Sequence, residues 1–444
     1  MKKTEDPQRS RKVEDPERSR KVEDHERSRR VRVRYAPSPT GVPHIGNIRT
    51  ALFDFLYAKN QDGTFILRLE DTDRKRLVPG SREIIQESLS VLGLKWDEYY
   101  EQSRRLDLYQ KHLKILKDQK LVYEDQGSWR FKIPKGKTLK WQDLVHGEIK
   151  FLSDVLEDFI IVKSDGFPTY HFASVVDDHD MQISHVIRGD EWISSTPKHL
   201  LLYEAFSWLY PAFIHLPPIL GPDRKKLSKR EGAKSVIEYI DEGYLPEALV
   251  NFLSLLGWAP KDDREIFSLN DLTREFSLDR LNKNSPIFNG EKLNWFNREW
   301  MKKIKDDRLA KQIKTLFPQY DLEKIRSLIP LVRERMKTLL EFPKMADFFF
   351  NRPKISNIPK ISLSVSLIAD VISVFEKSKV WNNSVIRKLI EETAVLKKID
   401  RIELISAVRN IVSGSIITPP LYESMEQLGQ EETITRLKNY VKKK

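Results

Sequence analysis

The succession of apolar patterns predicts an α/β protein. It would have a Rossmann-like nucleotide-binding domain of the doubly wound kind, a small inserted domain, and an all-α C-terminal region. Three observations lead there. Strand and helix patterns alternate between Val31 and Leu94, short strand patterns interrupt them between Glu124 and Ile161, and helical spacing dominates beyond Arg230. A chain of 444 residues is too long for one core, so roughly three structural units are expected.

The first thirty-one residues precede that order. EDPQRSRKV, EDPERSRKV and EDHERSRRV repeat a nine-residue unit from Glu5 to Val31. Each copy offers one valine among charges and cannot build a core, so residues 1–31 read as a disordered or loosely helical charged arm. The alternative is a translation start placed too early. No methionine lies between Met1 and Met181, however, so a later start would need another codon.

Each element then follows in turn. Val31, Val33 and Tyr35 alternate with Arg32 and Arg34, the period of a strand, and Pro37, Pro39 and Gly41 break it into a loop. NIRTALFDFLYAKNQDG reads as a helix with Ile48, Leu52, Phe55 and Leu56 on one face and Gly63 as its stop. TFILRLE reads as a strand and SREIIQESLSVLGL as a helix. WRFKIP and GEIKF are strand candidates within the insertion, and DFIIVKSDG, YHFASVVDD and ISHVIRGDEW resume the α/β pattern. Ile329, Val332, Met336, Leu339 and Leu340 predict one helix with Pro330 in its first turn, where proline is tolerated.

Composition narrows the class. Lysine and arginine number 77 against 65 acids, a net charge of +12, which favours an anionic partner such as nucleic acid over a merely solvated basic surface only weakly. There are no cysteines, which excludes disulfides and thiolate zinc sites and suits a reducing cytoplasm. No apolar run is long enough to span a bilayer, and the charged N-terminus lacks the apolar core of a secretory signal.

Two segments carry chemistry. Ala36-Pro-Ser-Pro-Thr-Gly-Val-Pro-His-Ile-Gly-Asn47 joins a strand to a helix, where backbone N–H groups and the positive helix end attract an anion. His44 and Asn47 add donors and Gly46 permits close approach. The second is Pro222-Asp-Arg-Lys-Lys-Leu-Ser-Lys-Arg230, a basic loop after the apolar His215-Leu-Pro-Pro-Ile-Leu220. Alone, His44 would more often be structural and the loop merely solvated.

Together the strings change that reading. RYAPSPTGVPHIGNIRTALF resembles the HIGH element of class I aminoacyl-tRNA synthetases, in the form APSPTGxxHxGxxRTAL found in glutamyl-tRNA synthetases, and KLSKR resembles their KMSKS element. The resemblance covers about Arg32 to Lys438 and is most specific between Arg32 and Arg230. It implies a HIGH-type Rossmann-like domain that activates L-glutamate with ATP and transfers it to the 3′-terminal ribose of tRNA(Glu), with tRNA(Gln) as a second acceptor left open. Activation is implied to require bound tRNA. His44, Lys229 and Lys226 are the implied catalytic residues. Gly46, Asn47, Glu191, Trp192, Leu220 and Ser228 join His44 and Lys229 as the implied ATP site. Arg34, Ala36, Ser38, Glu70, Tyr170, Ser174 and Arg188 form the implied glutamate pocket. Arginine forks suit the two carboxylates of glutamate, and an acid suits its ammonium. Ser174 stands where some members carry asparagine, which puts its contribution in doubt. Asp177, Asp178 and His179 recur in the family without a dedicated ion, so no protein-held metal is expected; Mg²⁺ would arrive with the nucleotide.

The implied organisation is 32–123 and 162–230 for the catalytic halves, 124–161 for a shortened acceptor-stem insertion without zinc, 231–305 for a stem-contact domain and 306–444 for a helical anticodon-binding domain. Arg335 is a candidate anticodon contact. A cytoplasmic monomer is expected. The competing readings are a catalytically weak tRNA-binding paralogue, a truncated paralogue that glutamylates a modified tRNA base, and a small-molecule nucleotidyltransferase. The last two leave the helical C-terminal third unexplained.

Overall fold

A computed structural model describes residues 30–228 and 232–443; the nine-residue repeats lie outside them, apart from Arg30 and Val31. The chain forms two compact units. The first ends at Ala233 and also takes in Leu253–Phe288; the second comprises Lys234–Phe252 and the described residues from Asn289 onward.

The first unit is built on parallel strands. β1 (Arg32–Tyr35), β2 (Thr64–Leu69) and β3 (Glu98–Glu101) pair in the order β1-β2-β3. Every residue of β2 is buried, as the unbroken run TFILRL requires of a strand covered on both faces. β9 (His185–Gly189) and β10 (Ala212–Leu216) form a second parallel pair. Ser184 joins the two sets: its N–H donates to the Arg32 carbonyl at 2.9 Å, and its own carbonyl accepts from Ala212. The connected order is therefore β3-β2-β1-β9-β10. The chain leaves β1 for β2 on one side and has β9 on the other, so a topological switch point opens beyond Tyr35 and Gly189, the place where such sheets bind ligands.

Five helices cover this framework: α1 (Ile45–Asn60), α2 (Ser81–Val91), α3 (Leu106–Asp118), α4 (Tyr170–Asp180) and α5 (Thr196–Ala205). Ile48, Leu52, Phe55 and Leu56 of α1 are all buried, as their spacing predicted. The segment YHFASVVDD lies within α4.

Residues 124–161 do not stand apart. β4 (Val122–Asp125), β5 (Ser128–Phe131) and β8 (Phe159–Val162) make a small antiparallel sheet, whereas β6 (Thr138–Asp143) and β7 (Gly147–Leu152) form a hairpin. β6 pairs parallel with β10 through Asp143 and Phe213, so the hairpin extends the main sheet. Trp141, Leu139 and Phe131 lie in one core with Phe172, Leu200 and Phe213.

The second unit is helical. α6 (Val236–Asp241) and the start of α7 (Pro246–Leu255) belong to it, while α8 (Leu269–Glu275) belongs to the first unit. Next come α9 (Gly290–Lys303), α10 (Asp306–Leu316), α11 (Leu322–Val332) and the short α12 (Phe342–Ala346). Then α13 (Val365–Lys377), α14 (Asn383–Lys397), α15 (Arg401–Ser413), α16 (Leu421–Leu428) and α17 (Gln430–Lys443) enclose a core that includes Phe375, Ile390, Val408 and Met425. The helix expected across Ile329–Leu340 is a correction. Asp321 caps α11, its side chain accepting from the Lys324 N–H, so Pro330 falls in the last turn rather than the first. Its missing N–H and ring weaken the helix end, which stops at Val332, and Met336 is already extended.

Candidate active site

A cleft of about 710 Å³ opens at the switch point and draws its walls from both halves of the sheet. It is best described from its two ends.

At one end, His44 is the N-cap of α1. Its Nδ1 accepts from the N–H groups of Gly46 (3.0 Å) and Asn47 (3.4 Å), and the Asn47 Oδ1 accepts from the His44 N–H at 3.2 Å. This sharpens the reading of the motif. Two N–H groups expected to face an anion are committed to the histidine ring, which leaves Nε2–H and the Asn47 amino group as the donors presented outward. Burial, then Lys226, hold the His44 imidazole below its ordinary pKa against the pull of Glu191, so the ring is neutral at physiological pH. Gly46 packs under that ring; a Cβ there would lie 2.8 Å from it. Residues 219–227 fold back as a tight turn: Gly221 N–H donates to the Lys225 carbonyl, and Leu220 bridges to Lys226. Lys226 thereby lines the cleft opposite His44.

At the other end two arginines, Arg34 and Arg68, converge on carboxylates. The Arg34 Nε donates to Asp178 at 3.0 Å, and Arg68 donates to the same oxygen at 2.6 Å. Arg68 also donates to Glu70 at 3.0 Å, which aims that carboxylate at the cleft. Burial pushes the Glu70 carboxyl up to about 7, with Arg68 and Arg34 opposing it. Asp178 is held below the ordinary carboxylate range: burial works against its charge, but Arg34 and Arg68 outweigh it. Asp177 accepts from Gln102, Arg105 and Tyr109. The paired aspartates are thus engaged as electrostatic struts between β1, β2, α3 and α4.

Arg188 differs from the other two. It is 6% exposed, yet every partner is neutral: His215, His199, Thr196, the Tyr170 hydroxyl and the Trp192 carbonyl. Among the described residues it pairs with no carboxylate. Trp192 packs against Tyr170 with ring centres 4.3 Å apart and planes tilted by 38°.

Of the residues singled out in the sequence, Arg34, Ala36, Ser38, His44, Gly46, Asn47, Glu70, Tyr170, Arg188, Glu191, Trp192 and Lys226 line this one cleft. Others do not. Ser174 is fully buried behind it, its hydroxyl accepting from Arg68 at 3.3 Å. Leu220, in the turn, and Ser228, just past it, lie outside the lining; Leu216, Pro218 and Ile219 are the apolar wall instead. Trp192, expected beside the nucleotide ribose, lines the cleft where it packs on Tyr170. Lys229 lies outside the described residues, and Arg335 is an exposed residue of the second unit. Sequence reasoning missed Arg68 and Arg49. The latter is 4% exposed and donates to the carbonyls of Leu256 and Pro217, the second of which lies within the Leu216–Ile219 wall. Its only signal was its place in the NIRTAL string. Among the described residues, no three metal-ligating side chains come together.

Comparison with known proteins agrees with this architecture. Residues 30–129 and 118–295 match the family model of class I tRNA synthetases (E and Q), catalytic domain, and residues 294–441 match that of an anticodon binding domain. A glutamate–tRNA ligase of Dehalococcoides mccartyi is 40% identical over 470 residues, covering 92% of this chain and 96% of that one. One of Clostridioides difficile is 35% identical, covering 93% and 99%. The crystal structure of a glutamate tRNA ligase from Elizabethkingia meningosepticum, in complex with its amino acid, superposes with a TM-score of 0.84 at 32% identity, covering 93% and 99%. The chain belongs to the glutamate–tRNA ligase family of class I tRNA synthetases.

Proposed function

We propose that this chain activates L-glutamate with ATP and esterifies it to the terminal ribose of tRNA(Glu). The observation that carries the proposal is the composition of one cleft: a capped helix start bearing His44 at one end, and at the other a buried, carboxylate-free Arg188 near Glu70. Glutamate brings two carboxylates and one ammonium. Arg188 and Arg34 receive carboxylate, and Glu70 receives the ammonium. An uncharged side-chain amide would leave Arg188 buried without a counter-charge, which disfavours glutamine.

The reaction follows from positioning and charge. A glutamate carboxylate oxygen attacks the ATP α-phosphorus, the bond to the β-phosphate oxygen breaks, and pyrophosphate leaves. His44 Nε2–H, Lys226 and Lys229 stabilise the charge that builds on the phosphate oxygens. Mg²⁺, carried by the nucleotide phosphates, would neutralise charge on the leaving group. The ribose hydroxyl of tRNA then attacks the adenylate carbonyl and releases AMP. Residues 124–161 form the acceptor-stem region, 231–305 contact the stem and the helices from residue 306 bind the anticodon, with Arg335 as a contact. We place the enzyme in the cytoplasm as a monomer, with tRNA(Gln) as an open second acceptor. Charging of purified tRNA(Glu) and tRNA(Gln) with labelled glutamate tests the proposal; no ester on either would refute it.

A further inference from the structure

We infer that Asp143, delivered from the inserted hairpin, and His215 on β10 are positioning residues that set the glutamate affinity of Arg188. The inference rests on the reading of Arg188 as a carboxylate receptor. Asp143 and His215 are both fully buried, and the Asp143 Oδ2 meets the His215 Nδ1 at 2.6 Å. The opposite ring nitrogen, Nε2, accepts from the Arg188 Nε at 3.1 Å. One proton placement satisfies both contacts: Nδ1 protonated toward Asp143, Nε2 bare toward Arg188. Burial keeps the His215 ring neutral in spite of Asp143.

The arrangement explains two features together. A neutral acceptor orients the guanidinium without cancelling its charge, so the counter-ion vacancy is kept for substrate. Further around the guanidinium, His199 Nδ1 lies 3.3 Å away, and His199 Nε2 meets His171 Nδ1 at 3.2 Å, which orients the second ring in the same sense. The arrangement also gives the insertion a part in amino-acid recognition, because β6 carries Asp143 into the main sheet.

The geometry selects a sharp test. The other Asp143 oxygen, Oδ1, accepts from the N–H groups of Val145 and His146, both at 3.0 Å. In Asp143→Asn the amide oxygen must stay there, so the amino group faces His215 Nδ1. The ring proton then moves to Nε2 and opposes the Arg188 N–H, the wrong tautomer in a site of unchanged shape. The KM for glutamate, read by ATP–pyrophosphate exchange with tRNA present, should rise by about tenfold to a hundredfold. The KM for ATP should stay within about twofold, as expected for loss of a contact made only to the amino acid. In a His215→Gln background, whose amide oxygen accepts from Arg188 without a tautomer, Asp143→Asn should add little. An unchanged glutamate KM in Asp143→Asn, or equal rises for glutamate and ATP, would overturn the inference. Should that variant fail to fold, His215→Gln against His215→Leu carries the test: the first should hold glutamate affinity and the second lose it, and equal values overturn the inference. Arg188→Gln separates the two levels. If it leaves the glutamate KM unchanged, the pocket reading itself fails; if it raises that KM while Asp143→Asn does not, only the positioning network fails.

Discussion

Lowering the pH should weaken glutamate binding through Glu70. Its carboxyl is pushed up to about 7 by burial, with Arg68 and Arg34 pulling the other way, and it must be ionised to receive an ammonium group. With a pKa near 7, about nine-tenths of it is charged at pH 8 and about one-tenth at pH 6, so affinity should fall about tenfold, close to 1.4 kcal/mol, across that span. The sign for stability runs the other way. Folding raises this pKa, so the contribution of Glu70 to stability is complete below its unfolded value and is lost as pH rises through about 7. Bound ammonium would restore it, so glutamate should raise the melting temperature more at pH 8 than at pH 6. The assay is the glutamate KM at saturating ATP and tRNA between pH 6 and pH 8, for the native enzyme and for Glu70→Gln. Burial and Lys226 hold the His44 imidazole below its ordinary pKa, so the Glu70→Gln profile serves as the control for any contribution from that ring. The native KM should climb as pH falls, and the Glu70→Gln KM should be high and flat. A flat native profile, or the same slope in Glu70→Gln, would refute the assignment.

Further outcomes follow from the same geometry. Gly46→Ala places a Cβ against the His44 ring and should lower kcat with little change in the glutamate KM, measured by pyrophosphate exchange. Lys226→Ala and Lys229→Ala should each lower kcat while tRNA affinity, read by filter binding, stays near native; equal loss of both would contradict their role. Asp178→Ala leaves Arg34 and Arg68 buried without their shared partner and should destabilise the first unit by about 3–5 kcal/mol, visible in thermal unfolding.

Legibility in the sequence followed locality. The strand–loop–helix junction at Tyr35–Asn47 was readable because its motif is contiguous, and Arg34, Glu70 and Arg188 were readable because each sits in a long matching string. Roles set by contacts across the sheet were not. Arg68 looks like a strand residue until β2 places it against Asp178, 110 residues later in the chain. Asp143 and His215 meet only because β6 joins β10, and the polar TLKWQD of β6 gave no hint of that pairing. The misplaced helix at Ile329–Leu340 has a similar cause: apolar spacing continued past Val332, while the proline and the Asp321 cap had already fixed both ends.

The central claim is that one cleft joins ATP to glutamate for transfer to tRNA. ATP–pyrophosphate exchange with glutamate or glutamine, with and without total tRNA, tests it most directly. The account predicts exchange with glutamate when tRNA is present and none with glutamine. No exchange with glutamate under either condition, or exchange with glutamine in its place, would contradict it.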